Sequence, residues 1–223
     1  GLNVASDSLL SIAYSGTDGG LVVYVADDPS AHSGMEEQDS RFYSSLSLLP
    51  MLEPSDPQEA KDMVVKAFEL SERFGLPILL RTTTRVAHSN SDVPLGPALS
   101  LRRSPAFVRN PRRHARSSPS WCMEQHSNLI RKVFDAKATF EALPFNRLLL
   151  TSNSKVGVIA SGHPWSYLQE IVMRHQLNEV GLLKLGVVNP MPRSLILSLL
   201  ERVERVLVLE ELEPYIELQV RAI

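Results

Sequence analysis

The sequence predicts an α/β protein built from two parallel-sheet units. Three observations carry this. Short apolar runs, the β-branched-rich Leu21-Val22-Val23-Tyr24-Val25-Ala26 and Ile78-Leu79-Leu80 among them, lack polar alternation, as strands covered on both faces do. Stretches of helical periodicity separate these runs, which is the strand–helix–strand order of a parallel sheet. That order occurs over residues 1–90 and again over residues 153–223, with a segment of different character between them.

In chain order, Ser6 or Asp7 is expected to cap a short helix over residues 8–14, closed by Gly16. Thr17-Asp18-Gly19-Gly20 precedes the first strand, so it reads as a turn; a nucleotide-binding glycine loop would follow a strand. A short helix is expected over 41–49 and a short strand at Met51-Leu52. Ser55-Asp56-Pro57-Gln58-Glu59 then reads as a helix start, with a cap, a first-turn proline and a first-turn glutamate. Met63, Val64, Ala67, Phe68 and Leu70 recur at helical spacing up to Phe74, and Gly75 ends the helix. Residues 77–83 are the second buried strand. Residues 91–152 read as a linker and helical connector: proline, arginine and serine dominate its first half, and apolar helical spacing returns over 123–143. The second unit reads as strands over 156–160, 182–188 and 206–209, helices over 165–175 and 193–203, and a last helix after Pro214.

The bulk properties exclude several functions. The 223 residues suit one large or two small domains, with 43% hydrophobic and 22% charged residues. A net charge of −2 gives no electrostatic case for nucleic acid or an anionic membrane. No apolar run approaches the roughly 18 residues of a membrane span. The single cysteine, Cys122, leaves no internal disulfide and no cysteine-ligated cluster within this chain, and a cytoplasmic setting is the default.

The first strand empties directly into Asp27-Asp28-Pro29-Ser30 and a polar loop carrying His32, Ser33, Gly34, Glu36, Glu37, Gln38 and Asp39. Ligands of open α/β sheets sit beyond the carboxyl ends of strands, so this loop is the main site candidate; a solvated turn is the bland alternative at even weight. The second strand empties into Arg81-Thr82-Thr83-Thr84-Arg85, where pairing of the arginines with nearby carboxylates is favoured over anion binding. Glu210, Glu211 and Glu213 read as carboxylates placed before a helix, ahead of a metal cluster. Ser161-Gly162-His163 lacks triad partners and reads as a turn.

Several stretches in one order carry a resemblance: Gly1-Leu2-Asn3-Val4-Ala5-Ser6-Asp7, Ala26-Asp27-Asp28-Pro29-Ser30-Ala31-His32-Ser33 with Glu37-Gln38-Asp39-Ser40-Arg41, Leu52-Glu53-Pro54-Ser55-Asp56, Arg81-Thr82-Thr83-Thr84-Arg85, and Glu210-Glu211-Leu212-Glu213-Pro214. The chain resembles the large (alpha) subunit of the indolepyruvate:ferredoxin oxidoreductases, a family of thiamine-diphosphate 2-oxoacid oxidoreductases. The match is weakest across 98–144. It implies that residues 1–90 are part of a thiamine-diphosphate pyrimidine-binding domain and residues 153–223 part of a transketolase-C-terminal-like domain. The implied reaction is oxidative decarboxylation of an aryl pyruvate to acyl-CoA, CO2 and reduced ferredoxin, with a smaller (beta) subunit as partner. The implied cofactors are thiamine diphosphate with magnesium, and iron–sulfur clusters in a further domain. Family logic puts the carboxylate that serves the aminopyrimidine before Gly1, and the diphosphate–magnesium and cluster domains after Ile223. This chain alone is therefore expected to bind no thiamine diphosphate and to be inactive. Leu2, Asn3, Asp28, Ser30, His32 and Ser33 are expected to shape the cofactor pocket; no catalytic residue and no metal ligand is assigned. A structural role for His32 has equal weight, and Asp39 and Arg41 are expected to make structural contacts. Two alternatives stay open: a non-catalytic assembly subunit, and a module of another thiamine enzyme such as a transketolase.

Overall fold

In the computed structural model, which describes residues 1–97 and 106–223, two four-stranded sheets meet along the ends of their strands. Arg102 and Arg103 of the basic, proline-rich stretch lie outside the described residues.

Helix α1 (Ser6–Ser15) comes first. The expected side-chain cap is absent: Ala5 holds the cap position, and the Ser6 hydroxyl instead donates to the Asn3 carbonyl at 2.8 Å. Gly16 ends the helix with φ at 66°, as expected. Strand β1 (Val22–Asp27) follows, then α2 (Arg41–Ser47), β2 (Met51–Leu52), α3 (Pro57–Phe74) and β3 (Ile78–Thr83). The first sheet has the order β1-β3-β2, all parallel, closed by an antiparallel strand from late in the chain, β7 (Val187–Asn189).

This order corrects the expectation for β1. It is an edge strand, with Tyr24 57% exposed and Ala26 exposed, and only Val25 and Asp27 buried. Strand β3, which lies between β1 and β2, is buried at every position. Both apolar runs look alike in sequence, because a β-branched strand with one covered face needs no polar residues on the other.

Helix α3 starts as expected. Asp56 accepts from the Glu59 amide at 2.8 Å, and Glu59 reaches back to the Ser55 amide at 3.0 Å. Such reciprocal capping contributes about 1 kcal/mol. Met63, Ala67 and Leu70 are buried, whereas Val64 and Phe68, expected on the same face, are 36% and 45% exposed. After β3 come a single turn, α4 (Thr84–Ala87), the short α5 (Pro111–His114) and the long α6 (Pro119–Glu141). Ala136 and Phe140 of α6 pack with Met63, Ala67 and Leu70 beneath the first sheet.

The second sheet contains β4 (Arg147–Leu149), β5 (Val156–Ser161), β6 (Val180–Leu185) and β8 (Arg205–Leu209) in the order β4-β6-β5-β8. Helices α7 (His163–His175), α8 (Arg193–Leu200) and α9 (Tyr215–Arg221) complete the fold. Strand β4 was not expected from sequence; its three residues, exposed or half-buried, carry no periodic signal. The expected single strand over 182–188 is two strands in different sheets, broken at Gly186. A Cβ there would lie 2.5 Å from the Phe145 Cβ and 2.7 Å from its carbonyl oxygen, so only glycine passes this crossing. One apolar cluster joins the sheets, with Met51 and Leu79 of the first beside Ile159, Leu183 and Leu185 of the second. Val220 and Ile223, at the end of the last helix, pack against this cluster. Among the described residues no helix is long and apolar enough to cross a membrane.

Candidate functional site

Because β1 and β3 are parallel and in register from Val22↔Ile78 to Asp27↔Thr83, both end at the same edge. Glu53 leaves β2 there too. In the second sheet, β5 ends at Ser161 and β8 at Leu209, followed by Glu210. The two carboxyl edges face each other across a seam of charged side chains.

Two fully buried arginines organise this seam. Arg81, on β3, donates to Asp27 at 2.5 Å, pairs with Glu53, and lies 3.8 Å from Asp39. Arg41, at the start of α2, pairs with Asp39 and with Glu210 at 2.5 Å, and donates to the carbonyls of Glu211 and Glu213, both at 2.8 Å. Burial works against both guanidinium charges, yet their pKa values are raised: Asp39, Glu53 and Glu210 outweigh it at Arg41, and Glu53, Asp27 and Asp39 at Arg81. The carboxylates have further donors. Asp27 accepts from the Ser40 amide at 3.0 Å, Glu53 from the Ser161 hydroxyl at 3.2 Å, and Glu210 from the Ile216 and Glu217 amides at the start of α9. Gly162 must be glycine: its φ is 60°, and a Cβ would lie 2.6 Å from Glu53 Oε1. The expected structural roles of Arg81, Asp39, Arg41 and the Glu210 carboxylate are what the geometry shows. Ser161 is buried, its hydroxyl donating to Leu185 and Glu53, so the turn reading of Ser161-Gly162-His163 stands.

The polar loop after β1 is held by its own groups. Asp28 accepts from the Ser33 and Gly34 amides at 2.7 and 2.5 Å and from the Thr84 hydroxyl. The Thr84 hydroxyl first, then these amides, hold the Asp28 carboxyl well below the usual carboxylate range. Ser30 and Ala31 take left-handed conformations, φ 68° and 46°, and the Ser30 amide donates to Glu37. His32 and Ser33 are exposed.

Of the six sequence-derived candidates, Asp28, Ser30, His32 and Ser33 share this one loop. Asn3 lies against the helix that follows it, its Oδ1 accepting from the Tyr43 hydroxyl at 2.7 Å. Leu2 is buried in the apolar cluster that joins the sheets. An open cleft of about 470 Å³ lies beside the loop, lined by Pro29, Ser30, Glu37, Arg85, Tyr167 and Glu211 among others. Arg85 and Glu211 pair across it at 2.6 Å, and His163 packs edge-on against Tyr167 with ring centres 4.5 Å apart. Tyr167 was not singled out from sequence, and Glu37 was read there as part of the polar loop but not among the six pocket residues. The signal for Tyr167 was its place in the helix that follows strand β5, at the same kind of edge.

This arrangement defines a class: two mainly parallel α/β sheets whose carboxyl edges converge on one polar cleft. The fold is that of a 2-oxoacid:ferredoxin oxidoreductase. The 2-oxoglutarate:ferredoxin oxidoreductase from Magnetococcus marinus superposes with a TM-score of 0.73 over 99% of this chain and 46% of its own, at 14% identity. No protein-family profile matches the chain. In sequence the chain is similar along its whole length to the indolepyruvate oxidoreductase subunit IorA: 42% identical to that of Pyrococcus abyssi over 99% of this chain, 42% to that of Methanothermobacter thermautotrophicus over 100%, and 38% to that of Archaeoglobus fulgidus over 100%. It is homologous to one segment of this oxidoreductase subunit, spanning about 35% of the length of these relatives.

Proposed function

We propose that this chain forms one wall of the thiamine-diphosphate site in an indolepyruvate-type 2-oxoacid:ferredoxin oxidoreductase. The proposed reaction of the whole enzyme converts an aryl pyruvate, coenzyme A and oxidised ferredoxin to acyl-CoA, CO2 and reduced ferredoxin. The observation that carries this is the identity of 38–42% along the entire chain to the IorA subunits, together with a polar cleft at the strand ends.

Within this reading, residues 1–90 belong to the pyrimidine-binding domain, residues 153–223 to the transketolase-C-terminal-like domain, and 91–152 join them. Thiamine diphosphate, when bound, supplies the carbanion and the electron sink. The residues here fit a positioning role. Asp28 is the only carboxylate among the six candidates, and both of its oxygens are engaged within the loop and by Thr84. It shapes the loop and does not serve as base to the ring. Ser30, His32 and Ser33 are presented by that loop, and Leu2 and Asn3 back the helix that follows it. Magnesium, the iron–sulfur clusters, the smaller subunit and a cytoplasmic setting go with the whole enzyme.

The test is turnover by the full-length protein with its smaller subunit, supplied with coenzyme A and ferredoxin. Ferredoxin reduction with indolepyruvate or another aryl pyruvate, and much less with pyruvate or 2-oxoglutarate, is expected. Absence of ferredoxin reduction with every oxoacid overturns the reading, and a preference for 2-oxoglutarate overturns its aryl specificity.

A further inference from the structure

A second, strongly cationic cavity lies on the face formed by α1, α5 and α6. It measures about 280 Å³ and is lined by Arg112, Arg113, Arg131 and Lys132, with Glu124 and Gln125. An open hollow of about 640 Å³ adjoins it, sharing Ser15 and Arg113 and adding His114 and Arg116.

One buried side chain holds the site together. Gln125 is only 4% exposed, and its Nε2 donates to the carbonyls of Arg112 and Ala115, at 2.7 and 3.1 Å. This staples the arginine-bearing turn of α5 to α6. Asn110 caps that turn, accepting from the Arg113 amide at 3.2 Å. Arg113 donates to the Ser15 carbonyl at 2.8 Å and pairs with Asp18; Arg116 donates to the Ser15 hydroxyl at 2.9 Å.

The charges do not balance. Four cations line the smaller cavity. Arg112 pairs with Glu124 at 2.7 Å and Arg113 with Asp18. Among the described residues, Arg131 has only Asn128 Oδ1 at 2.9 Å and Lys132 only the Gly75 carbonyl at 3.0 Å; neither meets a carboxylate. Burial first, and then the Arg113 charge, push the Lys132 ammonium below its usual range. Asp18, held low mainly by Arg113, senses the same positive field. Like charges gathered around a preformed hollow are unfavourable unless an anion relieves them.

We propose that this cavity binds the phosphoryl group of a small phosphorylated ligand, with Arg131 and Lys132 as its principal cationic contacts. At about 280 Å³ it lies at the lower limit of small-molecule sites and suits a phosphate or diphosphate group, while the adjoining hollow has room for the rest of a ligand. Guanidinium and ammonium groups are the standard pair for this chemistry: the fork grips two oxygens and the ammonium acts as a point charge. The inference is independent of the function proposed above, because it uses none of the residues of the cleft.

The experiment is calorimetric titration of the full-length protein with inorganic phosphate, pyrophosphate and ATP, after saturation with thiamine diphosphate so that any cofactor seat is filled. Saturable binding of pyrophosphate is expected, weakened about tenfold in Arg131→Gln and in Lys132→Gln and unchanged in Arg174→Gln on α7. Equal affinity for pyrophosphate and ATP identifies an isolated phosphoryl group as the ligand, whereas tighter binding of ATP brings the adjoining hollow into the site. If Lys132→Gln does not fold, the exposed Arg131→Gln decides alone. No saturable binding at millimolar concentrations, or binding equal in wild type and Arg131→Gln, overturns the proposal.

Discussion

Replacing Arg81 with methionine tests whether the charged seam holds the two sheets together. Arg81 is fully buried and is the shared partner of Asp27 and Glu53. Removing one member of a buried ion pair typically costs about 3–5 kcal/mol, because the other charge is left without its partner. Two carboxylates lose their cation here, but neither is stranded: Asp27 keeps the Ser40 amide at 3.0 Å and Glu53 keeps the Ser161 hydroxyl at 3.2 Å. The expected loss for Arg81→Met is therefore about 3–5 kcal/mol in total and not twice that, a large share of the roughly 5–15 kcal/mol of an ordinary domain. Methionine keeps much of the arginine's volume, so the loss is one of charge and not of packing. It follows that the triple variant Arg81→Met/Asp27→Asn/Glu53→Gln recovers at least half of it. Urea unfolding of wild type, single and triple variants at one pH, with the slopes compared to verify a common transition, gives the three free energies. A loss below about 1 kcal/mol for Arg81→Met, or a triple variant no more stable than the single one, refutes the argument, since replacing a buried ionic set by neutral groups should be close to neutral.

Two further outcomes follow from local geometry. Gly186→Ala places a Cβ 2.5 Å from the Phe145 Cβ at the crossing between sheets, so the strands must part; a loss of about 1–3 kcal/mol or more is expected in thermal or urea melts, and a variant as stable as wild type contradicts the close approach. Asp28, whose pKa is depressed by Thr84 and by the Ser33 and Gly34 amides, stabilises its loop above the unfolded carboxylate pKa near about 3.9, and that contribution fades as pH falls through the lower folded value. Hydrogen exchange should therefore show the Ser33 and Gly34 amides still protected at about pH 4 and unprotected in Asp28→Asn; protection that persists in the variant removes Asp28 from the role.

The local devices of this fold were legible in sequence because each rests on neighbouring residues. Asp56, Pro57 and Glu59 marked the start of α3, and Gly75 its end, with no need of the rest of the chain. Strand order was not legible, and so β1 was expected inside the sheet: the identity of a strand's neighbours depends on residues far along the chain, and the runs of β1 and β3 look alike. Nor could periodicity reveal that residues 182–188 change sheets, because both halves are apolar and the only mark is one glycine whose necessity comes from Phe145. At the site, the loop with Asp28, Ser30, His32 and Ser33 was visible as polarity after an apolar run. The partners that hold it were not: Glu210 is 169 positions from Arg41, and Glu211 is 126 from Arg85.

The charged seam also explains how two irregular segments can form one cleft. The loop over 28–40 and the stretch over 210–214 contain no extended secondary structure, and together they supply much of the cleft lining. Apolar contacts alone would let such segments slide, since burial energy has no direction. A guanidinium has one plane and a fixed fork of donors. Arg41 applies that fork to Asp39 in the first segment and to Glu210 and two backbone carbonyls in the second, while Arg81 ties the base of the same loop to Glu53. Moving either segment by one residue would leave a buried charge without its partner, at a cost of several kcal/mol. The arrangement adds little net stability over an apolar seam, but it specifies a single relative position for the two walls. A cleft that orients a ligand needs such a fixed position more than it needs extra stability.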